Sequence, residues 1–168
     1  MARALRAPSG WHVSADTDLL PPRPLNGDDF VAARAVAEAW FGHPVGLTLH
    51  RLFFDQLGPG GVWIARADGS PAGFLLGMVS MSEPDLAYVH LHAVDPALRG
   101  QGVGAALYRE FGRRAMGSGC TRIRALAAPQ REGSIAFHRA LGFDGPLVEG
   151  FLGPGEDRIV FERALPVP

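Results

Sequence analysis

The chain has 168 residues, of which 47% are hydrophobic and 20% charged, enough apolar material for one domain with a single core. The net charge of −1 and the pI of about 6.6 exclude an overall positive field that would attract nucleic acid or an anionic membrane surface. A single cysteine, Cys120, excludes an intrachain disulfide and a zinc site built from cysteines, and we expect it to be a small buried hydrophobic residue.

The N-terminal part of the chain, residues 1–20, shows no clear periodicity, and the prolines at 21, 22 and 24 exclude a central strand or helix after it. We expect a loose or edge-paired lead-in. Residues 1–11 lack the apolar stretch of a secretory signal peptide, and no apolar run reaches the ~20 residues that span a bilayer. We therefore expect a cytoplasmic protein.

The first half of the chain predicts two helices followed by three strands. Asn26, Asp28 and Asp29 supply capping side chains ahead of an apolar spacing of three and four, which predicts a helix that runs to about Phe41. Three short links join three consecutive strands, which must therefore be antiparallel to one another. The second helix and these three strands are predicted at residues 47–57, 62–65, 72–79 and 87–94.

The second half of the chain alternates helices and strands. The helix at 104–116 joins the strand at 87–94 to the strand at 121–128. Those two strands can therefore lie parallel. The whole order of elements predicts a single α/β domain over residues 1–168 with a mixed sheet. The elements predicted here are a helix at 104–116, a strand at 121–128, a helix at 134–141, and a final hairpin of 143–152 and 158–165.

A glycine-rich turn, Arg99-Gly100-Gln101-Gly102-Val103-Gly104, lies between a predicted strand and a predicted helix. Glycines let backbone N–H groups approach a phosphate without a Cβ in the way. The free amides of the helix's first turn and its dipole favour bound negative charge, and Arg99 can add a charge-assisted contact. The turn therefore predicts an anion-binding site.

Two nucleotide-binding motifs are alternative interpretations of this turn. Residues 100–105 satisfy the loose dinucleotide pattern G-x-G-x-x-G/A, but that motif places its first glycine directly after the strand, with an acid about twenty residues further on. Here residues 95–99 intervene, and no acid occurs between Glu110 and Glu132. A nucleoside-triphosphate loop also needs Gly-Lys-Ser/Thr, which does not follow. A dinucleotide-dependent oxidoreductase is therefore only a third interpretation.

The turn and its surroundings resemble the GNAT superfamily of acyl-CoA-dependent N-acyltransferases. The family signature Arg/Gln-x-x-Gly-x-Gly/Ala is matched by Arg99, Gly102 and Gly104, and residues 134–143 look like its closing helix with a Leu-Gly-Phe end. The resemblance covers about residues 27–165. It implies a mixed, mostly antiparallel sheet of about six to seven strands with about four helices, split between the fourth and fifth strands.

The resemblance also implies acetyl-CoA, or another short acyl-CoA, as cosubstrate, and direct acyl transfer to a primary amine of a small molecule or peptide without an acyl-enzyme. Cys120 is then not needed as a nucleophile. The implied cofactor-binding residues lie on the strand before the turn, in the turn and at the closing helix. They are His92, Ala93, Val94, Arg99, Gly100, Gln101, Gly102, Val103, Gly104, Arg131, Ser134 and His138. Arg131 stands where many relatives carry an asparagine, and Ser134 could instead begin the helix.

Proton transfer needs a base, because an alkylamine of pKa near 10.4 costs about 4–5 kcal/mol to deprotonate at neutral pH. His90 and His92 lie on the strand beside the implied split, and their ordinary pKa near 6.5 suits the role. We favour His90, since the residue nearer the turn more often serves the cofactor through its backbone. The family commonly takes its acid from a tyrosine of the closing helix, and His138 occupies that position here. Packing or solvent-facing roles without catalysis remain the alternative for all three.

The remaining expectations concern metals, partners and a rival function. His90 and His92 share a strand face and His138 could join them, yet no carboxylate at ligand spacing completes a site, so we predict no metal. We expect neither nucleic acid nor membrane partners, while edge strands of the last hairpin could support a homodimer. The missing tyrosine and Arg131 motivate a CoA-binding module without catalysis. The acceptor is unspecified, but one wall is expected in residues 41–61, with Trp40, His43, His50, Phe53 and Phe54.

Overall fold

The computed structural model describes residues 18–57 and 60–168, so the prediction of a loose lead-in falls largely outside the described residues. In the described part, a short edge strand precedes two helices, and strands and helices then alternate. The elements are β1 (Arg23–Pro24), α1 (Asp29–Phe41), a 3₁₀ turn (Gly46–Thr48), α2 (Arg51–Leu57), β2 (Val62–Ala65), β3 (Pro71–Val79), β4 (Leu86–Val94), a 3₁₀ turn (Pro96–Leu98), α3 (Val103–Gly117), β5 (Arg122–Ala127), α4 (Glu132–Ala140), β6 (Leu147–Val148) and β7 (Arg158–Ala164).

The described strands form one mixed sheet in the order β1-β2-β3-β4-β5-β7-β6. Antiparallel pairs join β1 to β2, β2 to β3, β5 to β7 and β6 to β7, whereas β4 and β5 run parallel. The parallel register begins at Leu86 beside Arg122 and ends at Val89 beside Ala125, although β4 continues to Val94. The predicted mixed, mostly antiparallel sheet is confirmed, and the end of this register is where the fourth and fifth strands stop pairing.

The described residues pack as two compact units, one of residues 18–57, 60–76 and 91–111 and the other of residues 77–90 and 112–168. In the first unit, α1 and α2 cover one face of the sheet. Trp40 stacks on Phe74 with ring centroids 6.2 Å apart, and Trp63 stacks on Phe74 at 6.1 Å. The apolar core of this unit is built from Leu25, Ala33, Ala37, Val45, Leu49, Phe54, Trp63, Ala65, Phe74, Leu76 and Ala93.

The second unit is built around β5, β7 and α4. Ile123 and Phe161 are fully buried at the centre of these two strands, and Phe143 is 2% exposed. β5 alternates half-buried and buried side chains along its length, the pattern of a strand covered fully on one face only. Apolar burial of this kind contributes roughly 25 cal/mol for each Å² removed from water, so these residues dominate the unit's stability.

Two predicted elements are wrong in extent. The predicted helix at 47–57 is a 3₁₀ turn followed by α2, because the His50 Nδ1 accepts the Leu52 N–H at 3.1 Å and so starts the helix there. The predicted strand at 143–152 is reduced to β6. Pro146 has no N–H to donate to a ladder, although its carbonyl accepts the Val160 N–H at 3.0 Å, and Asp144 reaches β7 through an isolated bridge to Glu162.

Candidate functional site

The turn between β4 and α3 is held in place at its start by Asp95. The Asp95 N–H donates to the Ala72 carbonyl at 3.0 Å, and its carboxylate accepts the Ala97 N–H at 2.9 Å. The Arg66 guanidinium forms an ion pair with the same carboxylate at 2.5 Å. Burial raises the pKa of Asp95, but the hydrogen bonds from Arg66 and Ala97 together lower it by a larger amount. The pKa of Asp95 therefore lies below its ordinary value. The carboxylate is therefore ionised at neutral pH and ties the turn to Arg66 in the loop between β2 and β3, while the Asp95 N–H ties it to β3.

Two glycines of the turn adopt left-handed backbone conformations, Gly100 with φ of 77° and Gly102 with φ of 87°. A Cβ on Gly100 would meet no heavy atom within 4 Å, so glycine is needed there for its backbone conformation rather than for space. The first helical donor of α3 is the Ala106 N–H, which bonds to the Gly102 carbonyl at 2.9 Å. The N–H groups of the residues between them have no acceptor within the helix.

These N–H groups lie at a helix end that carries no acidic residue in its first turn. The dipole of α3 places partial positive charge there, and no carboxylate of the helix itself offsets it. Positive-φ glycines followed by a helix N-terminus form a concave set of donors that suits a phosphate or diphosphate. The predicted anion site therefore has a backbone geometry that fits its ligand.

Arg99 has a contact that the sequence does not predict. Its Nη2 donates to the backbone carbonyl of Trp40 at 2.5 Å, and its Nε donates to the Val94 carbonyl at 3.4 Å. Trp40 lies in the last turn of α1, where helix carbonyls lack partners and attract cations. Arg99 thus binds the turn to the C-terminal end of α1, while its side chain stays exposed to solvent.

The half-buried His92 on β4 contacts Tyr108 of α3, a residue that sequence reasoning missed. The two side chains hydrogen bond at 3.1 Å between His92 Nδ1 and Tyr108 Oη, and their rings meet edge to face with centroids 5.1 Å apart. Tyr108 is fully buried, so its hydroxyl holds the imidazole in one orientation. Tyr108 lies one turn after Gly104 in α3, and no periodic signal in the sequence pairs it with His92.

His90 and the backbone of Ala93 and Val94 complete the β4 part of the site. His90 is half-buried and shares its strand face with His92, because alternate strand residues point the same way. The Ala93 side chain is 5% exposed and belongs to the core of the first unit, so only its backbone is available to a ligand. Binding of a cofactor through the backbone of residues 92–94 stays a prediction.

His138 lies inside the second unit, with 1% of its surface exposed. Its ring stacks on Phe161 at 5.0 Å and meets Phe143 edge to face at 5.5 Å. Its Nδ1 lies 2.7 Å from the Ser134 carbonyl, which can only accept, so Nδ1 carries the proton. Burial lowers the pKa of His138 although the Ser134 hydrogen bond raises it. This environment favours a neutral packing residue over a proton donor.

The other residues named at the closing helix lie at its exposed start. α4 begins at Glu132 with Arg131 as its exposed N-cap residue, and the Arg131 side chain makes no capping hydrogen bond. Ser134 is therefore inside the first turn, and the alternative that it begins the helix is wrong. Cys120 is 3% exposed and burial raises its thiol pKa, which confirms the expected buried role.

A groove of about 410 Å³ lies between α1 and the segment that leads into α2. Its lining includes His50 of the expected acceptor wall, together with two charged residues of α1 that the sequence analysis did not single out, Arg34 and Glu38. Phe54, by contrast, is 1% exposed and packs edge to face on Phe30 in the core. The loop side of the predicted wall segment thus lines a groove, whereas Phe54 belongs to the core.

Within residues 18–57 and 60–168, no three histidine, cysteine or acidic side chains come together in a way that could hold a metal ion. Over the same ranges, none of the helices is long and apolar enough to cross a membrane.

A family model described as "Acetyltransferase (GNAT) family" matches residues 30–143, the stretch that contains α1, the glycine turn and α4. The chain belongs to the GNAT acetyltransferase family. Over 83 residues it is 34% identical to the L-2,4-diaminobutyric acid acetyltransferase of Nocardia farcinica. That match covers 49% of this chain and 43% of the Nocardia protein, so this GNAT chain spans less than half the length of that relative.

Solved structures show the same fold at low sequence identity. A phosphinothricin acetyltransferase from Sinorhizobium meliloti, solved with acetyl-CoA, has a TM-score of 0.69 at 20% identity, and the match covers 88% of this chain and 89% of that one. The diaminobutyrate acetyltransferase of Paenibacillus lautus, solved with L-2,4-diaminobutyric acid and coenzyme A, has a TM-score of 0.67 at 16% identity, covering 86% and 95%. Both likenesses confirm the GNAT architecture of this chain.

Proposed function

We propose that this GNAT chain is an acetyl-CoA-dependent N-acetyltransferase that moves the acetyl group from the thioester directly to a primary amine. The observation that carries the proposal is the start of α3, where left-handed glycines and unpaired N–H groups form an anion site in a member of an acetyltransferase family. The diphosphate of coenzyme A has the charge and size that such a site suits. Family neighbours solved with acetyl-CoA or coenzyme A support the choice of ligand.

In this proposal, backbone N–H groups of Gly100 and of residues 102–105 bind the diphosphate, since the Gln101 N–H already donates to the Leu98 carbonyl at 3.4 Å. Arg99 keeps the turn in position through its bond to Trp40. Backbone groups of residues 92–94 bind the pantetheine arm along the unpaired end of β4. The turn is fixed before ligand arrives, because Asp95, Arg66 and Ala72 already hold its start. A preformed site loses little conformational entropy when it binds.

For proton transfer, we propose one of the two histidines of β4 as the base that accepts the amine proton. His90 remains our first candidate, on the sequence argument that the residue nearer the turn serves the cofactor. His92 is the second, and its bond to Tyr108 supplies the kind of orienting partner that a catalytic base needs. Single His90→Ala and His92→Ala variants separate the two, because only loss of the base removes the rise of kcat with pH.

The proton donor to the departing thiolate has no assigned residue. The aromatic packing around His138 favours a structural role, and this observation supports the alternative that the chain binds coenzyme A without turning it over. In the enzyme interpretation, the thiolate would take its proton from solvent or from the base after transfer. Measured turnover decides between the two functions.

For the acceptor, we propose a small aliphatic primary amine. The support comes from the Nocardia relative, which is named for L-2,4-diaminobutyric acid, and from the Paenibacillus structure, which holds that compound. A cytoplasmic location and a homodimer stay predictions from the sequence.

The experiment combines calorimetry with a turnover assay on the purified chain. We expect saturable binding of coenzyme A, and release of free thiol from acetyl-CoA when primary amines are added. A thermal-shift comparison should show a raised midpoint with coenzyme A and no shift with NAD(P). Absence of coenzyme A binding would contradict the proposal entirely. Binding without thiol release, across a broad amine panel, would favour the non-catalytic module.

A further inference from the structure

The groove between α1 and the start of α2 is lined by side chains of both charges. Arg34 and Glu38 lie one helical turn apart on α1, and Val45 and Leu49, 8% and 5% exposed, form an apolar floor beside them. At about 410 Å³ the groove falls within the size range of small-molecule sites. Its opposite charges and apolar floor match a ligand that carries both charges on an aliphatic body.

The two α1 charges are available to a ligand. In residues 18–57 and 60–168, the side chains of Arg34 and Glu38 make neither a hydrogen bond nor an ion pair. The third charged residue of the groove, Arg51, already pairs with Asp55 through its Nε at 3.2 Å. Arg34 therefore supplies the unpaired positive charge, and Glu38 the unpaired negative charge.

We propose that this groove binds the acceptor, and that the acceptor is an aliphatic primary amine that also carries a carboxylate, as an amino acid or diamino acid does. The inference rests on the proposed acetyltransferase function and specifies its substrate class. The guanidinium of Arg34 binds the carboxylate, since the two groups match in charge and in bidentate geometry. Glu38 accepts from the ammonium, and the methylene chain lies on Val45 and Leu49.

The position of the groove on α1 sets the direction of the ligand. Glu38 precedes Trp40 by two residues, about 3 Å along the helix axis, and the Trp40 carbonyl is bonded to Arg99 of the glycine turn. Arg34 is six residues from Trp40, about 9 Å along the axis. The Glu38 end of the groove is thus the end nearer the turn, so the ammonium group is bound at that end and the carboxylate at the Arg34 end, farther from the turn.

The test compares amines that differ only by a carboxylate. L-Lysine is matched with 1,5-diaminopentane, and L-2,4-diaminobutyrate with 1,3-diaminopropane, at saturating acetyl-CoA. We expect kcat/KM to be about 10–100-fold higher for the carboxylate-bearing member of a pair. Arg34→Met should abolish that preference, because it lowers kcat/KM for the carboxylate-bearing member far more than for the diamine, whereas Arg34→Lys should keep part of the preference.

Controls separate the groove from the rest of the protein. Arg139→Met, on the exposed face of α4, removes one arginine charge elsewhere and should leave the preference intact. Glu38→Gln should weaken both members of a pair alike. Equal kcat/KM within each pair for the unaltered protein, or an equal fall for both members in Arg34→Met, would overturn the proposed substrate class.

Direct binding keeps the inference testable if the chain does not turn over. Calorimetric titration of the coenzyme A complex with L-lysine and L-2,4-diaminobutyrate should show at least one saturable interaction that Arg34→Met weakens by about tenfold or more. If neither amino acid binds, the groove proposal is wrong even when coenzyme A binds well. If coenzyme A itself does not bind, the proposed function is wrong, and the amino acid titration of the free chain then decides the groove alone.

Discussion

The helices α3 and α4 each follow a strand and a short loop. The residues at their starts nevertheless differ in charge and in backbone conformation. α3 follows two left-handed glycines and has no acid in its first turn, whereas α4 follows Arg131 and places Glu132 there. A carboxylate in the first turn already offsets the helix dipole of α4. Of these two helices, α3 is the one whose positive end is left for a ligand to satisfy.

The histidines near these helices show the same contrast. His92 pairs with the hydroxyl of Tyr108 on α3, which keeps the ring polar and oriented. His138 on α4 is surrounded by Phe143 and Phe161, which keep it neutral. The start of α3 thus lies near a histidine with a polar partner, whereas the histidine of α4 is enclosed by aromatic rings. The surroundings of a histidine, and not its residue type, therefore determine whether it can serve in a site.

The largest effect is expected from the start of α3. A Gly102→Val, Gly104→Val double variant should lower coenzyme A affinity about a hundredfold or more, because a left-handed residue costs about 1–2 kcal/mol with a side chain and the new Cβ atoms cover the N–H groups. Calorimetry measures the affinity. The matched control is Gly133→Ala in the first turn of α4, where an added Cβ meets nothing within 4 Å, and affinity there should not change. Equal affinity in the double variant would contradict the anion site.

The next effect distinguishes the two arginines that precede the helices. Arg99→Met removes the bond to the Trp40 carbonyl and should lower coenzyme A affinity about tenfold, since the turn loses its anchor to α1. Arg131→Met should change it by less than about twofold if α4 is not an anion site. A larger loss in the Arg131 variant would reverse the comparison and place the phosphate groups at α4.

A smaller effect is expected from the Tyr108 hydroxyl. Tyr108→Phe keeps the buried ring but removes the hydrogen bond to His92, and should shift the midpoint of the pH profile of kcat while coenzyme A affinity stays within about twofold. His90→Ala in the same assay shows whether the profile belongs to the neighbouring histidine. A midpoint unchanged by Tyr108→Phe would assign the pair a packing role only.

The smallest effect concerns His138 and the stability of the fold. Burial lowers the pKa of folded His138 below its ordinary 6.5, so the unfolded chain takes up the proton first as pH falls below 6.5. The stability contribution is therefore present above 6.5 and is lost progressively below it. His138→Phe should flatten the fall of unfolding free energy over that range, as measured by urea denaturation. An unchanged slope would show that other groups cause it.

Much of the fold was predictable because local chemistry determines it. The continuous apolar run of β2 and the spacing of α1 gave bounds that agree closely with the structure, and Asn26 does accept the N–H groups of Asp28 and Asp29 at the start of α1. The failures have specific reasons. The His50 ring starts α2 late, and Pro146 interrupts the strand predicted at 143–152. The sequence shows no periodic signal for a helix that starts at a histidine cap. It shows none either for a strand as short as β6.

The sequence alone identified the glycine turn and its resemblance to the family. It could do so because the left-handed conformation at Gly100 and Gly102 is favoured by glycine itself. Tertiary structure decided which side chains meet. Tyr108 reaches His92 across 16 residues, Arg99 reaches Trp40 across 59, and His138 is enclosed by residues of β7 and the segment before it. Contacts between distant residues depend on how helices and strands pack, and packing depends on the whole core at once.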